Sequence, residues 1–334
     1  MPPKIAILSP VAWRTPPRHY GAWETVASNI TEGLVARGWD VTLFATADSV
    51  TRAELRACVA RGYEEDRTVD PKVVEYLHIS TCFEQADQFD LIHSHYDFMA
   101  LTYANLVKTP VLTTIHGFSS PQIMPIYLKH RHGNFVSISD SDRHPDLDYL
   151  GTVYNGIDTS LYPFQEKPGA DLIFLGRIHP DKGLHLALEV ARRQGRRLLI
   201  GGIIQDQAYF DRLEIDGERA VYLGPLDNQG KNQLFANAYA LLHLNTIPER
   251  FGLVLVEANC AGIPVIAMDL GSPREVLEHG RTGFLVKSVE GALAALEKVP
   301  ELNRNDCRQR VVQDFSVEAM VAGYEKIYQR ILGS

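Results

Sequence analysis

Pro248–Ile263 reads PERFGLVLVEANCAGI, and Pro264–Val286 continues it as PVIAMDLGSPREVLEHGRTGFLV. The stretch holds a helical run (Gly252–Cys260), a short apolar run (Pro264–Ala267), a second helical piece (Pro273–Glu278) and another apolar run (Gly283–Val286). Short apolar runs bounded by Gly and Pro read as buried strands, and longer mixed stretches read as helices. Strands that alternate with helices mean βαβ units and a mainly parallel sheet.

The same alternation extends in both directions. Upstream lie strand-type runs at Asp171–Leu175, Arg197–Gly201, Ala220–Leu223 and Ala240–Leu244, with helices at Gly183–Arg193 and Asn228–Asn237 between them. The first half repeats the theme with Lys4–Leu8 (KIAIL), Asp40–Ala45, Leu91–Ser94, Val111–Ile115, Phe135–Ser139 and Thr152–Tyr154. Gly21–Gly38 is its clearest helix, with Val26, Ile30, Leu34 and Val35 at helical spacing and Gly38 as a stop. Ser160–Asp171 (SLYPFQEKPGAD) is rich in Pro and Gly and reads as a linker. The expected architecture is α/β, with two doubly wound halves facing across a cleft. Ligands of such sheets bind outside the carboxyl ends of the strands.

Composition narrows the function classes. The chain has 334 residues, 45% hydrophobic and 22% charged, a size for about two domains. These values exclude a disordered chain, a collagen-like fibre and a small disulfide scaffold. A net charge of −8 and a pI near 5.8 argue against a nucleic-acid surface. Cys58, Cys82, Cys260 and Cys307 show no paired spacing and read as reduced thiols. No run approaches the roughly 18–20 apolar residues of a spanning helix, and Met1–Ser9 lacks a signal-peptide pattern. The expectation is a cytoplasmic protein, with peripheral contact at the inner face of a membrane left open.

Several residues stand out chemically. Glu249 sits in a loop after a strand, and Glu257 lies on the helix opened by Phe251-Gly252. Helix N-terminal N–H groups near Gly252 and Leu253 suit hydroxyls or an anion, and a carboxylate suits a pair of vicinal hydroxyls. Two exposed glutamates bracketing a buried helix are the plain alternative. Gly176–Gly183 (GRIHPDKG) places Arg177 and Lys182 at a strand–loop–helix junction, which suits a diphosphate or is an ordinary basic turn. His179 reads as a loop substituent. Tyr20–Glu24 (YGAWE) opens the first helix, where Glu24 favours the helix dipole. His116, in TIHGF, ends a strand. His93 and His95 alternate on an extended segment and face one way, but no third metal ligand accompanies them. Asn155-Gly156 in YNGID is a turn signal. The triplets Asp140-Ser141-Asp142 and Asp146-Leu147-Asp148 read as solvated loops that come after no clear buried strand. GxGxxG, GxSxG and P-loop motifs are absent.

The segment from Glu249 to Glu257 resembles the E-x7-E signature of retaining glycosyltransferases with the GT-B fold, specifically glycosyltransferase family 4. Pro264–Val286 resembles that family's next strand, glycine loop and helix, and the likeness covers nearly the whole chain. It implies that Arg177 and Lys182 hold the donor diphosphate, that Glu249 and the Phe251–Leu253 backbone orient the sugar, and that Glu257 binds the ribose. Leu223 and Leu226 would flank the base, His116 would lie near the donor sugar, and Gly21 would let backbone approach a phosphate. Ala22 departs from the family's second glycine. His95, Arg14 and Arg18 fall on the acceptor side, where the tract WRTPPRHY either meets an anionic acceptor or is a solvated lid. The implied layout is an acceptor domain at 1–163, a nucleotide-sugar domain at 168–315, and a final helix within 316–334 crossing back. The implied reaction moves a hexose-type sugar, uridine-linked by family frequency, with retention and without a cofactor or metal. A glycan, lipid or small molecule would accept it. A sugar-nucleotide epimerase and a non-catalytic binder of the same fold are the alternatives.

Overall fold

A computed structural model of the chain describes residues 2–19 and 21–333. Met1, Tyr20 and Ser334, which belong to the readings of the N-terminal segment, the YGAWE and WRTPPRHY tracts and the last helix, lie outside the described residues. The chain divides into two compact units, Met1–Gly156 with Val317–Ser334, and Ile157–Ser316.

The first unit runs β1 (Lys4–Leu8), α1 (Ala22–Ala36), β2 (Asp40–Phe44), β3 (Glu54–Arg56), α2 (Pro71–Phe83), β4 (Leu91–Ser94), α3 (Leu101–Ala104), β5 (Val111–Ile115), α4 (Met124–Lys129), β6 (Asn134–Ser137) and β7 (Tyr149–Thr152). Its seven strands are all parallel, in the order β3-β2-β1-β4-β5-β6-β7. Helices cover both faces of such a sheet, which is why β4 and β5 are buried at every position and β1 from Ile5 to Leu8, rather than alternately. α1 buries Val26, Ile30 and Leu34 on one stripe. The expected strand at Thr152–Tyr154 lies earlier, at Tyr149–Thr152, and pairs with β6 through an irregular register. Edge strand β3 is short and polar, so its apolar signal is too weak to read.

The second unit runs β8 (Asp171–Leu175), α5 (Leu184–Gln194), β9 (Leu198–Gly201), α6 (Gln207–Phe210), β10 (Ala220–Tyr222), α7 (Asn228–Ala236), β11 (Ala238–His243), α8 (Leu253–Cys260), β12 (Val265–Met268), α9 (Pro273–Val276), β13 (Gly283–Val286), α10 (Val289–Lys298) and α11 (Arg304–Asp314). Its sheet is again all parallel, in the order β10-β9-β8-β11-β12-β13. Leu172, Phe174, Leu198, Ile200, Leu242 and Ile266 from these strands form its core with Leu184, Ala187 and Val190 of α5. The chain then returns to the first unit as α12 (Val317–Leu332), which packs on α1. Glu325 of α12 pairs with Arg37 at 2.6 Å and accepts from the Trp39 indole N–H at 2.8 Å.

In each sheet the strand order reverses once, between β1 and β4 and between β8 and β11. The loops that leave the carboxyl ends of those strands diverge to opposite faces and open a crevice there. In the second unit these loops are Gly176–Gly183 and Leu244–Gly252, the two segments richest in chemical motifs.

The segment read as a linker, Ser160–Asp171, belongs to the second unit, and the boundary falls earlier, at Gly156. The Arg308 guanidinium of α11 explains this. Nη1 donates to the carbonyls of Tyr162 (2.5 Å) and Cys260 (2.7 Å), and Nη2 to that of Thr159 (2.9 Å). The Tyr162 and Cys260 carbonyls lose their donor if this side chain is removed, while Thr159 keeps the Tyr162 N–H at 3.5 Å, and each half-buried orphan costs about 1 kcal/mol or more. Arg308→Ala is therefore expected to destabilise the protein by about 2–4 kcal/mol, checked by urea unfolding. A change under about 0.5 kcal/mol would count against the clamp.

Candidate active site

Each loop at the second unit's crevice is shaped by a glycine in left-handed conformation. Gly183, at φ +67°, begins α5, and a Cβ there would lie 1.9 Å from the Leu244 carbonyl oxygen. Only glycine lets these two loops touch. Gly252, at φ +82°, starts α8 without a side-chain cap, and the Leu255 N–H turns back to the Gly252 carbonyl at 2.9 Å, so the N–H groups nearest the start of the helix face the crevice loop without a side-chain acceptor. Just before α5, Pro180–Lys182 forms a 3-10 turn, and the His179 ring accepts from the Asp181 N–H at 3.3 Å. His179 is thus a cap for its own loop.

Glu249 is the hub. Its Oε2 accepts from Lys182 Nζ at 2.6 Å and Asn245 Nδ2 at 2.6 Å, and lies 3.0 Å from His243 Nε2. Its Oε1 accepts from the Arg250 N–H at 3.1 Å. The backbone is pinned too, since Glu249 N–H donates to Leu270 and Ser272 N–H donates to Glu249. Burial by itself pushes the Glu249 carboxyl upward. The His243 hydrogen bond and the Lys182 charge outweigh it and hold the group well below the usual carboxylate range. The residue is an ionised, fixed acceptor.

Glu257 lies at the start of the second turn of α8 and is 8% exposed. Its Oε1 receives Lys231 Nζ at 2.7 Å from α7 and the Tyr162 hydroxyl at 2.9 Å. Two donors on one oxygen set the orientation of the carboxylate. Neither glutamate is the exposed bracket that spacing alone allowed. His243, Asn245, Lys231 and Tyr162, which position the pair, were missed by the sequence reading. Only Tyr162 and Asn245 lie near a quoted motif, and neither has a spacing that signals its partner.

The other residues named from sequence are placed around this pair. Arg177 bonds Gln205 through Nη1 and sits beside the crevice on the loop that ends at Lys182. The Phe251 side chain is buried edge-on to Phe315, ring centroids 6.0 Å apart, so it is turned into the core. Leu253 is half-buried. Leu223 is exposed, and Leu226 packs over Gly201, where a Cβ would come within 2.6 Å of it.

In the first unit, the crevice loops leave β1 and β4. His116 is 6% exposed and stacks on Trp23, centroids 5.4 Å apart at 20°. Trp23 was not singled out from sequence. His95, expected on the acceptor side, is fully buried, with Nδ1 2.9 Å from His116 Nε2. It lies behind His116 because the even pleat of the segment turns His93 and His95 into the same packed layer. Arg18 pairs with Glu65 at 2.6 Å and Asp48 at 3.5 Å, which offsets its charge, and the Nε of Arg14 is buried without a hydrogen-bond partner. Asp140-Ser141-Asp142 does come after a buried strand, β6, contrary to the sequence reading. Asp140 is engaged by Thr152 and lies 3.4 Å from Arg143. Among the described residues no group of three or more His, Cys, Asp or Glu is arranged to hold a metal ion, and no helix is long and apolar enough to cross a membrane.

Gly21 adopts φ +146°, and a Cβ there would lie 2.9 Å from Glu24 Oε2. Glu24 lies in the first turn of α1, where it was expected, but is buried. It is 3% exposed and accepts the Trp13 N–H at 3.3 Å.

An all-parallel doubly wound pair with a lysine-anchored carboxylate in a crevice loop and a second on the next helix defines the GT-B class of glycosyltransferase. The chain belongs to glycosyltransferase family 4: residues 163–313 match the Glycosyl transferases group 1 model, and residues 23–161 match the Glycosyltransferase Family 4 model. It is similar to the N-acetyl-alpha-D-glucosaminyl L-malate synthase of Bacillus anthracis, 37% identical over 74% of this chain and 76% of that protein. It is also similar to the phosphatidyl-myo-inositol mannosyltransferase of Mycobacterium tuberculosis, 28% identical over 74% of this chain and 75% of that one. Among solved structures it resembles AviGT4, a glycosyltransferase of avilamycin A biosynthesis (TM-score 0.73, 21% identity, 100% of this chain and 99% of that one). It likewise resembles Anabaena HepE in complex with UDP and glucose (TM-score 0.75, 18% identity, 97% and 98%).

Burial raises the Glu24 carboxyl to about 7, with hydrogen bonds from its own and the Trp13 N–H only partly opposing it. A carboxyl raised in the folded state binds its proton more tightly there. Stability is therefore greatest below the unfolded value near 4.5 and falls as pH rises toward 7. Glu24→Gln should remove this slope and raise stability at pH 8 by roughly 2–3 kcal/mol. Unfolding free energies between pH 5 and 8 check it, and an unchanged slope in the variant would disprove the assignment.

Proposed function

We propose that the protein transfers a hexose-type sugar from a uridine diphosphate sugar to an acceptor hydroxyl with retention at the anomeric carbon. The observation that carries this reading is the pair of fixed carboxylates, Glu249 tied to Lys182 and Glu257 tied to Lys231 and Tyr162. Both stand by the loops where the strand order reverses.

The chemistry is dictated by charge. Breaking the bond between C1 of the sugar and the β-phosphate oxygen leaves negative charge on the diphosphate. Arg177, Lys182 and the N-terminus of α5 supply compensating positive charge, so the reading needs no cofactor or metal ion. Lys182 shares its ammonium between Glu249 and the arriving phosphate, since an ammonium carries three donors. Glu249 and the N–H groups of Phe251, Gly252 and Leu253 take the sugar hydroxyls and hold C1 in place. The free oxygen of Glu257 takes the ribose hydroxyls, with Leu223 and Leu226 beside the base. In the first unit, His116 offers a hydrogen bond to substrate, and Gly21 lets backbone approach it. The acceptor oxygen bonds to C1 on the face that the phosphate leaves, and its proton passes to the departing phosphate oxygen. The carboxylates are held by cations as acceptors, an arrangement suited to binding rather than to nucleophilic attack.

The named relatives join their sugars to L-malate in one case and to phosphatidyl-myo-inositol in the other, so the reading stops at an acceptor hydroxyl. Arg18, paired to two carboxylates, does not make the WRTPPRHY tract a net anion receptor. The acceptor is sought first by thermal-shift screening of nucleotide sugars and then by transfer to glycan, lipid and small-molecule hydroxyls.

Two substitutions test it. Lys182→Ala should lower turnover about 10²–10³-fold while the donor still binds, and near-normal turnover with donor bound would overturn the phosphate role. Glu257→Ala should weaken UDP binding about 10–100-fold. Calorimetry with UDP alone reads this, and unchanged affinity would refute the ribose assignment.

A further inference from the structure

Three imidazoles pack in a row at the ends of β4 and β5. The His93 and His95 rings lie 4.3 Å apart, and those of His95 and His116 lie 5.2 Å apart. His93 has both nitrogens committed, Nδ1 to the Tyr328 hydroxyl at 2.7 Å and Nε2 to Thr114 Oγ1 at 2.7 Å. Thr114 Oγ1 in turn meets the Tyr324 hydroxyl at 2.9 Å. His95 Nδ1 meets His116 Nε2 at 2.9 Å, and His95 Nε2 is buried with no partner.

We infer that His95 is a positioning residue that donates its Nδ1–H to His116 Nε2 and so fixes His116 with its own proton on Nδ1. Counting the protons decides the direction. Burial lowers His93 and His116 to about 3 and lowers His95 as well, so each ring carries one proton at neutral pH. One proton lies between His95 Nδ1 and His116 Nε2. If His116 supplied it, the His95 proton would sit on Nε2, where it would be a buried N–H without an acceptor. If His95 supplies it, Nε2 is left as an unpaired acceptor. Orphaned buried N–H groups are rarer than under-satisfied acceptors, and His93 cannot relieve the first arrangement because both of its nitrogens are engaged. His116 is therefore set as a donor at Nδ1, the only ring nitrogen left for a ligand, and Trp23 holds its plane. This rests on the reading that His116 meets substrate. It makes that contact a donation to a hydroxyl or phosphate oxygen, which excludes His116 as a base.

Protein labelled with ¹⁵N-histidine, observed by long-range ¹H–¹⁵N correlation between pH 6 and 8, tests the inference. The His116 signals are assigned by their loss in His116→Asn. The expected pattern is a protonated Nδ1 and an unprotonated Nε2 on both His116 and His95. A protonated His116 Nε2 would overturn the inference. In His95→Leu the His116 signals should move toward a mixture of tautomers, and an unmoved Nδ1–H form there would show that His95 does not set it. The outcome is separable from the function reading. A His116→Asn variant of normal turnover would sink the role of His116 toward substrate and leave the tautomer result standing.

Discussion

Parallel pairing is the constraint on which this molecule depends. Strands that run the same way cannot be joined by tight hairpins, so every connection crosses a face of the sheet. The crossing helices bury both faces and direct each strand's carboxyl end toward one edge. In both sheets the order reverses once, and the loops beside that reversal are released from packing against each other. Gly176–Gly183 and Leu244–Gly252 are such loops, and they meet where Gly183 approaches Leu244, where the Thr246 N–H donates to Asp181 at 2.9 Å and where Lys182 reaches Glu249. The chemistry sits where the topology leaves room for it.

Charge in the second unit is arranged by pairing rather than by exposure. Glu249 and Glu257 are both largely removed from water, a state that a lone carboxylate tolerates only by taking up a proton. Glu249 keeps its charge because His243 and Lys182 reach one of its oxygens, and Lys231 and the Tyr162 hydroxyl meet one oxygen of Glu257. Glu24 in the first unit shows the opposite outcome under similar burial: it meets only backbone N–H groups and is raised toward neutrality. The same residue type is shifted in opposite directions because one environment contains cations and the other does not. The histidine row obeys the same logic, since burial strips the charge and the hydrogen-bond partners then decide where the remaining protons sit.

Much of the fold was legible in the chain. KIAIL, DLIFL and the run through Pro264–Val286 carry strand signals strong enough to survive without tertiary context, and Val26, Ile30 and Leu34 mark a buried helical stripe. The signal fails for β3, a short polar edge strand, and slips for β7, whose pairing is irregular. The Ser160–Asp171 segment has a linker's composition, yet Arg308, 146 residues from Tyr162, binds it into the second unit. Of the site, the E-x7-E pair, Arg177, Lys182 and His116 were visible. Their supports were not: Lys231 is 26 residues from Glu257, and Tyr162 is 95. His95 was visible as a residue and misplaced as a surface.

By itself, then, the sequence determined the order of strands and helices, the parallel doubly wound class and the residue types gathered in the motif loops. Local propensity and apolar period act over a few residues, and those are written in the chain. Only the tertiary structure decided which cation holds which carboxylate, that Glu24 is buried against backbone N–H groups rather than a cation, and that His95 stands behind His116. Those outcomes depend on burial and on contacts between residues far apart in the chain. Burial and distance are set by how sheets and helices pack, and no stretch of sequence carries them.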